Sequence, residues 1–181
     1  MGAKKKLLAM DLSAGRERTD FYQEVKTILE DAGYNLVDVD ERRPWGAYYR
    51  ISGEQADEFL DEFFMGLSAE EARMGNARAE ISPKILVIAP EQRNSWQYHH
   101  RRAERWHFLT GGAAYHKSMG DEPGEPVLAD AGLVVQFAEG ERHRVVSRGN
   151  YVLVAEIWQH IDAENPSDEF DIVRLADDYS R

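Results

Sequence analysis

Apolar positions along the chain repeat first with a helical period and later with the short, broken spacing of strands. Phe21, Val25, Ile28, Leu29 and Ala32 fall on one helical face. Asp20-x-x-Gln23 has the form of a capping box at the start of that face, and Gly33 suits its end. Residues 34–39 alternate enough for a short strand. Arg43-Pro44-Trp45-Gly46 reads as a turn into a second strand at 47–51, placed at a sheet edge. Gly53 precedes a second helical segment, 54–64, whose Phe59, Leu60, Phe63 and Phe64 form an apolar stripe facing the core.

From Ser82 onward the pattern changes. The runs 85–89, 96–100, 105–110, 113–116, 133–137, 144–146 and 151–159 are short and β-prone, with Gly, Pro, Asn and Asp between them. Many short strands at this spacing indicate a sandwich or barrel. The stretch MGDEPGEP, Met119 to Pro126, reads as a mobile insertion. One mainly β domain with an N-terminal helical extension is the expected organisation.

Composition narrows the function more than the fold. At 181 residues with 43% apolar content, the chain is long enough for one well-buried core. It contains no cysteine, which removes disulfides, thiolate nucleophiles and zinc fingers. No run of eighteen apolar residues exists to span a membrane, and the MGAKKKLLAM opening is too short in apolar residues for a secretory signal. A cytoplasmic location is the expectation. The net charge of −11 argues against nucleic acid and against an anionic membrane surface.

The segment SWQYHHRRAERW, 95–106, concentrates ligand-type residues. On a strand Gln97 and His99 project to one side and Tyr98 and His100 to the other. After a turn near 101–103, Glu104 can return to the first side on the next strand, with Trp106 and Phe108 following it inward. Gly111 marks the next turn. His143, in FAEGERHR, opens a later strand. Two imidazoles, a carboxylate and an amide oxygen make a first shell for one divalent metal with open positions. His100, His107 and His116 read as packing, surface or sheet-face residues, and the four tryptophans as core or pocket wall.

These motifs resemble the cupin superfamily. Gln97, His99 and Glu104 stand at i, i+2 and i+7 with glycine seven residues on, as in cupin motif one. Gly140 and His143 match motif two. More narrowly, RPWG at 43–46, SWQYHHRRAERW at 95–106 and DIVRLADDYSR at 171–181 resemble, in order, the cupin domain of type II mannose-6-phosphate isomerases and related phosphoheptose isomerase-like cupins. Glu91, Ala138, Ser147 and Ser180 depart from the family pattern.

The resemblance implies a double-stranded β-helix, or jelly-roll barrel, over 43–181, with 1–42 as a helical extension packed on it. It implies a metal held by Gln97, His99, Glu104 and His143, zinc first, with manganese, iron or nickel as alternatives. The implied activity is aldose–ketose isomerisation of a sugar or sugar phosphate through an enediol. Such a reaction needs a base beside the carbon and stabilisation of the developing oxyanion. Glu156 is the leading base, ahead of Lys84 and His160. Arg43, Arg102 and Arg174 are the phosphate-binding candidates, because guanidinium binds phosphate bidentately. The expected partner is a small sugar, with a homodimer as the assembly. A sugar-binding or regulatory cupin without turnover, or an oxygen-using metalloenzyme, would employ a similar site.

Overall fold

The computed structural model describes residues 2–179; Ser180 and Arg181 lie outside them. Two antiparallel sheets form the barrel, consistent with the jelly-roll expectation. The strands β1 (Leu36–Arg43), β2 (Gly46–Ile51), β3 (Ile81–Ile88), β5 (Arg102–Phe108), β8 (Val134–Phe137) and β10 (Val152–His160) make the larger sheet, in the order β1-β2-β3-β10-β5-β8. The smaller sheet runs β11-β4-β9-β6-β7 and contains β4 (Trp96–Tyr98), β6 (Ala113–Ser118), β7 (Val127–Ala129), β9 (Arg142–Ser147) and β11 (Val173–Ala176).

Strand β10 explains why the alternation in VLVAEIWQH is hidden. All nine of its residues are buried. Val152 and Val154 join a cluster between the two sheets with Leu86, Ile88, Trp106, Phe108, Phe137 and Val145. Leu153, Ala155 and Ile157 point the other way, into a second cluster built by the helices α1 (Ala3–Leu7), α2 (Arg18–Asp31), α3 (Ala56–Phe63) and α4 (Ala69–Ala72). A strand apolar on both faces is what a sheet covered on both sides requires. The helices are therefore one wall of a second core, with Phe21 stacked on Tyr151 at 3.9 Å.

The same alternation sends Glu156 of β10 inward. Glu156 and Trp158 share the inner face with Val152 and Val154, and Glu156 is paired across the sheet with Lys84 on β3 and Trp106 on β5. Glu156 and Lys84 are thereby set into the barrel interior beside the apolar cluster.

Several sequence expectations change. The helix α2 begins at Arg18 with Glu17 as N-cap and no side-chain cap bond, so Asp20 and Gln23 lie inside the helix and form no capping box. The strand at 47–51 is not an edge: β2 is paired with β1 on one side and β3 on the other. That removes the structural reason for placing a dimer contact there. The strand β1, largely within the 1–42 extension, belongs to the larger sheet. The insertion at 119–126 is pinned, with Asp121 accepting from Arg142 through its carboxylate and from the Trp96 indole through its carbonyl. The glycine of RPWG has a firm cause: at φ +154, a Cβ on Gly46 would lie 1.8 Å from the Val87 carbonyl oxygen. Glu91 holds a left-handed φ of 59°, a region that favours glycine. No helix among the described residues is long and apolar enough to cross a membrane.

Candidate metal centre and its cavity

Glu104 comes from β5, His143 from β9 and His99 from the turn after β4, so the cluster ties the two sheets together. One ligand-type atom from each lies within 4.8 Å of the others. All three side chains are 2% exposed or less.

Their hydrogen bonds fix the chemistry of the nitrogens. His99 Nδ1 is bonded to the Asp171 carbonyl, and His143 Nδ1 lies 2.9 Å from the Glu141 carbonyl. A carbonyl only accepts, so each Nδ1 carries the hydrogen and each Nε2 of a neutral ring is left as a bare lone pair. Those lone pairs converge on the carboxylate: His99 Nε2 is 3.1 Å from Glu104 Oε1, and His143 Nε2 is 3.1 Å from Oε2. Lone pairs facing an anion want a cation between them. His143 Nε2 is buried without a hydrogen-bond partner, and orphaned buried atoms of this kind are rare. Burial lowers the pKa of His99, which favours the neutral, ligating form. Burial alone would raise that of Glu104, but its neighbours His99, His143 and Arg102 outweigh burial and hold it well below the usual carboxylate range. Rings oriented by outer carbonyls, with Nε2 converging on an ionised carboxylate, fit a divalent metal.

A cavity opens from Glu104 past Glu156 and Lys84, walled by Trp45, Tyr48 and Trp158. The Trp106 indole N–H is shared between the two interior carboxylates, 2.9 Å from Glu156 Oε1 and 3.2 Å from Glu104 Oε2. Burial and then the nearby negative charge of Glu104 push the Glu156 carboxyl up to about 8. Lys84 Nζ sits 3.4 Å from the Trp158 ring centroid and 4.8 Å from that of Tyr48. Burial pulls its pKa down, while the Glu169 carboxylate at 2.7 Å acts against that fall.

The remaining expected residues fall as follows. Gln97 lines the cavity, and its amide oxygen accepts from the Ser95 hydroxyl. An amide oxygen has a second lone pair, which keeps it available as a ligand. Arg43 and Arg174 also line the cavity, Arg43 with its Nε 2.9 Å from Asp40. Arg102 lines it too, but its guanidinium is occupied: Nε donates to Glu104 at 2.9 Å, Nη1 to Ser167 at 2.8 Å, and Nη2 to His99 Nε2 at 3.1 Å. His160 is not among the lining residues; it accepts from the Ser167 amide at Nδ1 and meets Ser82 at Nε2, both at 2.9 Å. That removes it as a base. His107 is buried against the Phe63 carbonyl, and exposed His100 offers only its backbone N–H to Asp171.

Sequence reasoning missed two residues that matter here. Asp171 orients His99 through its carbonyl. Its carboxylate accepts from the backbone amides of His100 and Arg101, both at 2.9 Å. Its place at the head of DIVRLADDYSR was the available signal. Glu169 carried none.

No protein-family model matches the chain, and no curated protein matches it. Among solved structures, it is similar to a cupin 2 conserved barrel domain protein from Salinispora arenicola, at 25% identity over 49% of this chain and 70% of the other, with a TM-score of 0.41. A predicted oxalate decarboxylase from Thermotoga maritima matches at 19% identity over 64% and 83%, with a TM-score of 0.41. An inferred sugar phosphate isomerase from Acidithiobacillus ferrooxidans matches at 18% identity over 45% and 51%, with a TM-score of 0.39.

Proposed function

We propose that the protein is a metal-dependent aldose–ketose isomerase acting on a sugar or sugar phosphate. The observation that carries this is geometric: a buried carboxyl, Glu156, shares a cavity with Glu104, whose carboxylate is faced by the Nε2 atoms of two oriented imidazoles, and burial pushes Glu156 up to about 8. Isomerisation takes a proton from one carbon and returns it to the next, so its acid–base group must exist in both forms near the working pH. Burial moves Glu156 toward that requirement, whereas an ordinary surface carboxylate stays well below it.

His99, Glu104 and His143 would hold the metal, with the Gln97 amide oxygen as fourth ligand and zinc as the first choice. When bound, the metal would act as a Lewis acid toward the substrate's carbonyl and hydroxyl oxygens. The chain's own residues do the rest. Trp106 holds the Glu156 carboxylate through its indole N–H. Arg102 fixes Glu104 through its Nε and adds positive charge, while its contact with His99 Nε2 would give way to the metal. Lys84 contributes a second buried cation, and Arg43 and Arg174 are positioned at the cavity for a phosphate group.

The test joins metal analysis of the purified protein with conversion assays on mannose 6-phosphate, sedoheptulose 7-phosphate, free mannose and lyxose. One metal per chain and interconversion of one substrate are expected. Glu156→Gln should lower turnover by roughly 10²–10⁴-fold, the usual range for a general acid–base group, with metal content unchanged. Full metal occupancy with none of the four converted would overturn the isomerase reading in favour of a sugar-binding module.

A further inference from the structure

Among the described residues, three carboxylates line the cavity. Glu104 and Glu156 project from strands, whereas Glu169 comes from the connection between β10 and β11. Its partner Lys84 is a fixed feature of the barrel, with a side chain 3% exposed and packed on Trp158 and Tyr48. Glu169 itself is 42% exposed. The ion pair is thus a buried cation met by an anion arriving from the solvent side, the approach an acidic group on a ligand would make.

The connection is pinned on both sides of this residue. Ser167 is held by Arg102 at 2.8 Å and by the Asp171 carboxylate at 2.6 Å. Asp168 is held by Arg101 at 3.1 Å. Asp171 is held by two backbone amides of the metal-site turn. Between the pins stand Glu169 and Phe170; the Phe170 amide donates to Asp168 Oδ1 at 2.9 Å, while the residue is 93% exposed. Glu169 can therefore leave Lys84 without disturbing the residues that orient His99.

We propose that Glu169 is a resident counter-anion that sets the charge selectivity of the cavity. A ligand's phosphoryl group takes its place on Lys84, with Arg43 and Arg174 alongside, while an uncharged sugar binds with Glu169 still in position. The cost of displacing Glu169 falls on anionic ligands alone. The choice of a phosphoryl ligand rests on the function proposed above; the displacement itself does not depend on metal or turnover.

The experiment is calorimetric titration of the wild-type chain and Glu169→Gln with inorganic phosphate, mannose 6-phosphate and mannose at constant ionic strength. Glu169→Gln should bind phosphate and mannose 6-phosphate about tenfold more tightly or better, and mannose within twofold of wild type. Tightening for mannose 6-phosphate but not for free phosphate would show that the sugar moiety is required for the exchange, and still supports it. Unchanged or weaker binding of both anions, an equal shift for all three ligands, or no anion binding by either protein would overturn the proposal. If the variant does not fold, hydrogen exchange on the wild type decides. Saturating phosphate should speed exchange at residues 169–170 and mannose should not; no difference between the two overturns it. Loss of the isomerase reading would appear separately, as absent metal or absent conversion with the selectivity contrast intact.

Discussion

Replacing His143 by alanine tests the metal centre at its least compensated atom. In the wild-type chain a ligand that binds only the folded state stabilises it by about 4 kcal/mol at a thousandfold excess over its Kd. For a chain of this size each kcal/mol moves Tm by roughly 2–4 °C, so saturating zinc should raise Tm by about 8–16 °C. Structural zinc sites bind with an apparent 10–16 kcal/mol over about four ligands, so losing one donor should cost on the order of 10²–10³ in affinity. At the same zinc concentration His143→Ala should then retain less than about 1.5 kcal/mol of metal-linked stabilisation. The substitution also opens a hole beside Phe137 and Trp106, whose ring centroids lie 4.8 and 5.3 Å from the imidazole. That should cost about 2–4 kcal/mol with or without metal. The informative quantity is therefore the zinc-induced shift within each protein, measured by differential scanning fluorimetry against a chelator control. A His143→Ala chain showing the full wild-type shift would refute the assignment of its Nε2 as a ligand.

Two further predictions concern the scaffold. Gly46→Ala should destabilise the fold by about 3 kcal/mol or more, because the new Cβ would collide with the Val87 carbonyl and force β2 from β3; a urea midpoint within error of wild type would refute the close approach. His160 should make the fold acid-sensitive: burial lowers its pKa from 6.5 to about 4, so the unfolded chain takes up the proton first as pH falls. Its contribution is then complete above about pH 6.5 and lost progressively toward pH 4, by on the order of 2–3 kcal/mol. Glutamine can reproduce both hydrogen bonds without titrating, so His160→Gln should show a shallower loss of stability across that window, and identical slopes would remove His160 as the cause.

How far the sequence reached depended on what each residue's neighbours are. The stripe of α3 and the turn at RPWG were legible because period and turn chemistry are local signals. The grouping of His99, Glu104 and His143 was legible chiefly through the motif resemblance, since His99 and Glu104 lie close in the chain but His143 comes from a distant strand. Glu156 and Lys84 stood out as polar residues in apolar runs, and both line the cavity. The two-sided burial of the larger sheet was not legible, since an unbroken apolar run does not say what covers each face. The short strands β7 and β11 were missed because they have three and four residues and are largely exposed, so little apolar pattern marks them. The connection carrying Glu169 was invisible for another reason. It is held by polar bonds to residues 64 to 85 positions earlier, and no periodicity encodes such contacts.

The carbonyl that orients His99 lies 72 positions further along the chain. Contacts of that span close late in folding, because the loop entropy must be met before the bond rewards it. A chain that has already paired β4 with β9 would hold both imidazoles near Glu104, yet the His99 ring could still spin until residue 171 docks. Here the protein's own Asp171 carbonyl, rather than a bound metal, orients the His99 ring. Metal capture should consequently follow the return of the final segment, the reverse of small domains in which the ion nucleates the fold.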